Sequence, residues 1–364
     1  MNKTSHYANE LDLNLLYQFL PTLCADEIGR VHQYIEQLDQ WAGTEPNSIH
    51  RIIHRERAHQ VECCPRCGAI HFVKNGKTVI QRQKYLCREC GRSFSDTTGT
   101  IIYHSRKNYT IWDQFIKGME AGLVLRKQAI DSEISVTTAF HWRHKVIDSL
   151  RDFNTGTYLS GEIEMDETYF LLNMKGMKNL PRKPKKRGTR AEKRGVSDEQ
   201  VSVAVATDEF DQLQVKIVGQ GNPTTENMIR IMGGFVTLGS TLVTDSRSLY
   251  QEFARKRECP LIQIPSGFHT AEGHDLGTLN GIHSEMKSWF AKFRGVSTRH
   301  LQGYLDWFRT IKHMKYHIEA KEREHHLLLF SVSDSITSLE KDVFRRSFPI
   351  DIYKPYKITN QYLS

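Results

Sequence analysis

The stretch GEIEMDETYF carries three carboxylates at alternate positions. Glu162, Glu164 and Asp166 alternate there with Ile163 and Met165. Because successive side chains of a β-strand point to opposite faces, a strand here presents its acids on one face and its apolar residues on the other. Like charges on a half-buried strand are costly unless a counter-charge lies beside them. A divalent cation with oxygen ligands is the usual counter-charge, so the stretch predicts a magnesium site with Asp166 as its first ligand.

A second carboxylate for such a site is Asp245, in the stretch STLVTDSRSLY. Asp245 ends a short apolar strand, and Ser246 opens the helix that follows. Asp166 and Asp245 at the tips of two neighbouring strands would give a two-metal site, in which the ions lie ~3.5–4 Å apart. Asp245 considered alone also fits the N-cap of that helix, so this alternative stays open.

The third ligand is expected on the helix LNGIHSEMKSWFAKFR. At about 100° per residue, its apolar residues fall in one sector, while Asn280, His283, Lys287 and Arg294 fall together in another. Glu285 lies well outside that second stripe. The projection therefore favours Asn280 and His283 at the metal, with Lys287 beside the substrate, and a plain solvated helix face is the alternative.

Two Cys-x-x-Cys pairs, CPRC and CREC, are separated by 19 residues. Each pair brings two thiolates together, and two such pairs are typical of a closed structural zinc site rather than of a redox dithiol. The predicted ligands are Cys64, Cys67, Cys87 and Cys90. Cys63 could replace one of them, and His71 is a weaker substitute. We expect one structural zinc ion in a ribbon whose basic residues contact DNA phosphates.

The segment at positions 124–150 predicts a helix-turn-helix. Ala129, Ile130 and Ile134 fit the apolar face of a first helix, and Thr137 fits the N-cap of a second. An ordinary helical hairpin with a solvated basic face is the alternative.

The second helix is expected to act as a recognition helix in the major groove of DNA. Its residues predicted to pack inward are Ala139, Trp142 and Val146. Its residues predicted to contact DNA are Thr138, His141, Arg143, His144 and Lys145.

Composition agrees with a DNA-handling protein of several domains. The chain has 364 residues, and 50 Lys and Arg against 42 Asp and Glu give a net charge of +8, which suits a polyanionic partner. No apolar run approaches the roughly 18 residues of a membrane span and no signal-peptide pattern is present, so we expect a soluble, cytoplasmic protein with no membrane partner. Strand-like and helix-like runs alternate after position 160, which predicts an α/β fold.

The predicted regions are 1–60 (N-terminal helices), 61–98 (zinc ribbon), 99–155 (helix-turn-helix), 156–315 (catalytic domain) and 316–364 (C-terminal tail).

A basic segment interrupts the predicted catalytic domain at positions 171–195. It holds ten Lys or Arg and a single acid, Glu192. Its prolines and glycines argue against a helix through its middle. The segment is either a solvated loop or, beside the metal site, a grip on the DNA backbone. The residues predicted to make that grip are Lys183, Lys185, Lys186 and Arg187.

The order of these motifs carries a resemblance. CPRCG, YLCRECGRSFSDTTGT, EMDETYF, VTDS and NGIHSEMKSWFAKFRGVSTRHLQGYLDWF follow one another between positions 60 and 310. Together they resemble bacterial zinc-ribbon insertion-sequence transposases of the IS-fifteen-ninety-five group. The resemblance implies an RNase H-like mixed sheet with flanking helices, and an Asp, Asp, Glu-or-Asn triad with two Mg²⁺ ions, for which Mn²⁺ substitutes, and a following Lys. Matched to this chain, those residues are Asp166, Asp245, Asn280 and Lys287. Many relatives have Glu where this chain has Asn280, and an amide oxygen is the weaker ligand.

The resemblance implies a transposase that binds element ends, cuts their 3′ ends and joins them to target DNA, as a homodimer or higher oligomer on double-stranded DNA. A zinc-ribbon and helix-turn-helix regulator with an inactive catalytic domain is one alternative. An RNase H-like nuclease or resolvase without strand transfer is another.

Neutralising Lys183, Lys185, Lys186 and Arg187 together is expected to weaken DNA binding on any sequence, because phosphate contacts carry no base information. The slope of log affinity against log salt becomes shallower by up to about 4, since each neutralised phosphate contributes roughly 0.9. Titrations of labelled duplex DNA at several salt concentrations measure this slope. An unchanged slope means that the segment is a solvated loop.

Overall fold

The computed structural model describes most of the chain beyond position 60. The described residues are 61–78, 82–153, 157–184, 191–333, Val343 and 345–356, together with Ile49, Ile52 and Ile53. The prediction of N-terminal helices therefore lies almost wholly outside the described residues. Within the described part of the chain, no helix is both long and apolar enough to cross a membrane.

The cysteine pairs lie at one end of a small antiparallel sheet. Its strands are β1 (Phe72–Lys77), β2 (Gln83–Cys87) and β3 (Ser93–Phe94). Its core is minimal: the rings of Phe72, Tyr85 and Phe94 lie with centroids 5.4 Å apart. A core of this size cannot hold a fold by hydrophobic burial alone, so a second source of stability is expected.

A metal ion held by the four predicted thiols would supply that stability. The Sγ atoms of Cys64, Cys67, Cys87 and Cys90 all lie within 4.8 Å of one another. The Cys64–Cys90 and Cys67–Cys87 sulfur distances are 3.8 and 3.6 Å. A tetrahedral zinc with Zn–S bonds of about 2.3 Å has sulfur–sulfur edges of about 3.8 Å, so the cluster fits the metal. Cys63 is exposed and lies outside the cluster.

Three helices follow the ribbon. They are α1 (Tyr109–Glu120), α2 (Leu125–Asp131) and α3 (Val136–Phe153). Asn108 caps α1, its side chain accepting from the backbone N–H of Ile111. At α3 the cap is Ser135, whose hydroxyl accepts from the backbone N–H of Thr138 at 3.0 Å, so the prediction of Thr137 as N-cap is wrong. Ile130 was predicted to pack inward, but its side chain is 73% exposed, because Gln128 and Ala129 form the buried face of α2.

A five-stranded mixed sheet forms the centre of the remaining chain. Its strands are β4 (Glu162–Leu171), β5 (Gln200–Asp208), β6 (Leu213–Gln220), β7 (Thr241–Asp245) and β8 (Leu261–Ile264). The order across the sheet is β6-β5-β4-β7-β8. The first three strands in sequence form an antiparallel meander, and β7 and β8 add in parallel beyond β4. The predicted fold class, an RNase H-like mixed sheet with flanking helices, is confirmed.

Helices cover both faces of this sheet. They are α4 (Thr225–Met232), α5 (Leu249–Arg257), α6 (Gly277–Ala291), α7 (Leu301–His317) and α8 (Arg323–Ser333). One face packs on α4 and α5, with Ala204 and Phe253 in its core. The other face contributes Val203 to a larger core that includes α6, α7 and α8. A hairpin of β9 (Thr270–Ala271) and β10 (His274–Asp275) leads into α6.

The larger core also contains α1, α2 and α3, so the helices before the sheet and the sheet itself share one hydrophobic interior. Trp112 of α1 stacks on Trp142 of α3 with ring centroids 3.5 Å apart. Trp307 of α7 donates its indole N–H to the carbonyl of Met119 at 3.1 Å. Ala139, Trp142 and Val146 are buried as predicted.

Removing the zinc ion is expected to unfold the ribbon and leave the mixed sheet intact, because a closed thiolate site contributes folding free energy directly. Cys87→Ser should lose the metal, whereas Cys63→Ser, a control at an exposed neighbouring thiol, should retain it. Elemental analysis and a DNA-binding titration of both variants measure the effect. Native protein without zinc would overturn the assignment.

Candidate functional site

Two predicted carboxylates meet across the junction between β4 and β7. The parallel register pairs Glu162 with Thr241 and continues to Met165 beside Thr244. The next residues in each strand are Asp166 and Asp245, which therefore lie level with one another. Adjacent strands lie about 4.8 Å apart, so side chains at this level are neighbours. Asp166 and Asp245 share one face of the sheet, because Met165 and Thr244, the residues before them, point to the opposite face.

The electrostatics of this junction favour binding of a cation between the two carboxylates. Burial first, and the nearby charge of Asp245 second, raise the pKa of Asp166 to about 6 against the opposing effects of Arg247 and Lys287. Two carboxylates so placed repel each other unless a cation lies between them. A hard divalent ion with oxygen ligands is the group that relieves this repulsion, so the donor set fits Mg²⁺ or Mn²⁺.

Helix α6 brings the predicted third group to the same place. His283 is buried, and its Nδ1 lies 3.9 Å from the Oδ2 of Asp166. Burial and the charge of Lys287 lower the pKa of His283 to about 4, so the imidazole is neutral at pH 7. Asn280, one turn before His283 on the same helix face, is exposed and makes no side-chain hydrogen bond to a described residue. The structure thus brings together Asp166, Asp245, His283 and Lys287, and Asn280 precedes His283 by one helical turn.

Glu285 faces elsewhere, as the helical projection predicts. Its carboxylate pairs with Lys312, and with Lys315 at 3.8 Å, both on α7. Glu285 is therefore held by α7, and it cannot take the place of Asn280 while it keeps these ion pairs.

The other two acids on the face of β4 have structural partners. Glu164 accepts from the backbone N–H of Leu279 at 2.9 Å. Helix α6 has no side-chain cap of its own at Leu276, so Glu164 satisfies one of its free N–H groups and stabilises its positive end. Glu162 lies 2.8 Å from the Nδ1 of His274 in the hairpin before α6. Glu164 and Glu162 therefore hold α6 and the hairpin before it against the sheet.

The sequence analysis did not predict a role for a further acid on β4, Glu167. This carboxylate lies on the apolar phase of β4 and is buried, where it forms an ion pair with Arg247 and accepts from the hydroxyl of Tyr250 at 2.9 Å. Arg247 also donates to the hydroxyl of Tyr169 at 3.0 Å, and its backbone N–H donates to Asp245. Burial raises the pKa of Glu167 to about 7, against the effect of Arg247.

Glu167 could have been found from its phase. A carboxylate at an apolar position of a strand requires a buried partner, and Arg247 follows the other predicted ligand by two residues. The cluster fixes the turn after β7, and with it the position of Asp245.

The prediction that α3 presents His141, Arg143, His144 and Lys145 to DNA is wrong in this structure. Arg143 is 1% exposed and donates to the carbonyl of Leu123 at 2.7 Å. His141 and His144 are buried as well. Lys145 is half-buried and donates to the carbonyls of two residues between the ribbon and α1. The physical reason is α7, which packs on the α3 face that the sequence marks as polar.

Other predicted DNA contacts remain open. Thr138 is partly exposed in the first turn of α3, and Lys183 is exposed in the basic segment. Lys185, Lys186 and Arg187 lie outside the described residues. The described part of the basic segment packs on the fold through Leu172 and Met174, which contact Ile352.

Comparison with known proteins agrees with this geometry. Residues 158–309 match the family model of the ISXO2-like transposase domain, which confirms the predicted resemblance for the sheet and α6. A protein described as an uncharacterized protein in transposable element ISH50 of Halobacterium salinarum is 26% identical over 261 residues, covering 68% of this chain and 83% of its own.

Solved structures are more distant. A pre-cleavage Mos1 transpososome is 9% identical, covering 65% of this chain and 82% of its own with a TM-score of 0.23. A simian T-cell lymphotropic virus intasome in complex with PP2A regulatory subunit B56 gamma is also 9% identical, covering 64% and 75%, with a TM-score of 0.27. Scores this low carry no argument about function.

Asn280→Ala is expected to reduce metal-dependent DNA cleavage about tenfold or more at low Mg²⁺, because one oxygen ligand is lost, with partial rescue by higher Mg²⁺ or by Mn²⁺. Asn280→Glu restores the acid common among relatives and should retain or raise activity. Glu285→Gln, the control on the same helix, should change activity less than twofold, since its partners Lys312 and Lys315 lie on α7. An inactive Glu285→Gln with a fully active Asn280→Ala would reverse the assignment.

Proposed function

We propose that this protein, whose residues 158–309 match the ISXO2-like transposase domain, is a DNA transposase that cuts the 3′ ends of its element and joins them to target DNA. The observation that carries the proposal is the level placement of Asp166 and Asp245 on adjacent parallel strands. The match to a transposase domain and the motif order support it. Double-stranded DNA, as element ends and as target, is the proposed partner.

Asp166, Asp245 and Asn280 are the proposed metal-holding residues. Two Mg²⁺ ions bound there would activate the attacking oxygen and stabilise the leaving one. Asp166 supplies a half-buried carboxylate, and its raised pKa means that a cation or a bound proton balances its charge. Asn280 contributes no charge, so the site holds less negative charge than one with three carboxylates. We therefore expect substrate phosphate to complete the coordination, and the free protein to bind metal weakly.

Lys287 and His283 are proposed to act on the substrate side of the site. Lys287 is exposed on the same face of α6 and contributes a positive charge felt by Asp166. An exposed ammonium one heptad after Asn280 suits contact with a DNA phosphate near the cut. His283 is neutral and buried, and its Nε2 has no hydrogen-bond partner among the described residues. It can therefore orient Asp166 or donate to the substrate without adding charge.

End recognition is proposed to lie in the ribbon and in the first turn of α3. The ribbon presents exposed cations around its sheet, which suit phosphate contacts. They are Arg66, Lys74, Lys77, Arg88 and Arg92. Arg82, included with them on sequence grounds, instead forms a half-buried ion pair with Asp96. Cutting and joining two ends requires two active sites, so we propose a homodimer or higher oligomer on DNA.

Asp166→Ala and Asp245→Ala are each expected to lower end cleavage and joining by about a thousandfold or more, since each removes a metal ligand. Binding of end DNA should remain within about twofold, because the proposed DNA-reading parts lie elsewhere. The measurement uses labelled element-end DNA with Mg²⁺, following nicked and joined products on denaturing gels, beside a binding titration without added Mg²⁺ or Mn²⁺ that leaves the zinc in place.

Three outcomes of this assay separate the possible functions. Nicked and joined products from the wild-type protein, lost in both variants, support the proposal. Nicked products without joined ones indicate a nuclease. Specific binding with no cleavage at all indicates a regulator and overturns the proposal.

A further inference from the structure

A cleft of about 870 Å³ lies between the first half of α3 and the segment that follows α6. Among its lining residues are six cations and no Asp or Glu. The cations are Arg126, Arg143, Lys175, Lys292, Arg294 and Arg299. A cleft with only positive charge selects anions, and this one is separate from the metal site at the other end of α6.

The walls of the cleft are aromatic. Phe140 and Phe293 line it and are both half-buried. The ring of Phe140 lies 4.5 Å from that of His144, which in turn lies 4.2 Å from that of His300. His144 is 1% exposed, and neither of its ring nitrogens has a hydrogen-bond partner in the described part of the chain. An imidazole so placed at the wall of a cleft has nitrogens that can bond to a group bound there.

Three of these cations have no ion pair within the described part of the chain. Arg126, Lys292 and Arg294 are exposed, and the described residues offer none of them an ion pair. Lys175 instead donates to the carbonyl of Gly295 at 3.3 Å, which holds the segment after α6 against the start of the basic segment. The backbone of Gly295 has φ +97, and a Cβ there would lie 2.7 Å from Asn173. The wall of the cleft is therefore built on a fixed turn.

Size decides which anion fits. A volume of this order holds a small-molecule-sized ligand, which corresponds to one or a few nucleotides rather than to a duplex. Aromatic faces stack on bases of any sequence, and neighbouring cations contact the backbone. Resting on the proposed function, we propose that this cleft binds an unpaired stretch of DNA, with bases against Phe140 and Phe293 and phosphates against Arg126, Lys292 and Arg294.

The position of the cleft suits DNA that also reaches the metal site. Asn280 and Ala291 lie on one helix, and at 1.5 Å per residue they are roughly 16 Å apart along it. Duplex DNA rises about 3.4 Å per base pair, so a strand leaving the metal site along α6 arrives at the cleft within about five nucleotides. Lys287 lies on this path.

The test compares two DNAs in buffer without added Mg²⁺ or Mn²⁺, which leaves the zinc ribbon loaded: an end duplex with an unpaired tail and the same duplex blunt. The wild-type protein should bind the tailed DNA about tenfold more tightly. Arg126→Ala/Lys292→Ala/Arg294→Ala should bring this ratio close to one. Phe140→Leu, which keeps an apolar side chain but removes the ring, should lower it severalfold. Thermal unfolding of both variants verifies that they fold.

The matched control is Arg255→Ala/Lys256→Ala/Lys321→Ala, three exposed cations outside the cleft, two of them on α5 across the sheet. It should leave the ratio unchanged. A wild-type ratio of one, or a ratio unaffected in both cleft variants, overturns the inference. Because binding is measured without added Mg²⁺ or Mn²⁺, this result is independent of cleavage. Wild-type protein that cleaves without preferring tails refutes the cleft alone, and a preference for tails without cleavage refutes the proposed function alone.

Discussion

The parallel pairing of β4 with β7 is the constraint on which this structure depends. It places two aspartates level on adjacent strands, where their charges repel and where burial already disfavours ionisation. The repulsion is tolerable only if the surrounding fold holds the strands together at this point and a cation neutralises the pair. Much of the nearby polar structure serves the first requirement.

Two buried polar arrangements meet that requirement from opposite faces of β4. On one face Glu164 accepts from the first turn of α6, so the helix that carries Asn280, His283 and Lys287 is fixed to the strand that carries Asp166. On the other face Glu167 links to Arg247 and Tyr250. Since Arg247 also binds Asp245 through its backbone, the second aspartate is fixed to the same strand. The strand is thus the common support of every proposed catalytic group.

Sequence reasoning succeeded where local periodicity determines the answer. The repeat of a single strand or helix gives the alternation in β4, the position of Asp245 at a strand end, and the direction of Glu285 away from Asn280. Spacing alone gives the cysteine pairs. It failed where packing between distant segments decides. The polar face of α3 looks solvated in projection, but α7, about 160 positions later, covers it and buries Arg143. Glu167 was missed for the same reason, since its partners lie on α5 and in the turn before it.

The shared interior of α3 and α7 has a consequence for how DNA would be measured. If a recognition module hung from a flexible linker, it could bind its sequence at a range of distances from the cut. Here the stacked Trp112 and Trp142, and the hydrogen bond from Trp307 to Met119, join the helices before the sheet to the helices on it. For a protein acting as proposed, the packing of this core fixes the distance between the sequence read by α3 and the bond broken beside Asp166. Base pairs inserted between that sequence and that bond would prevent the protein from reaching both.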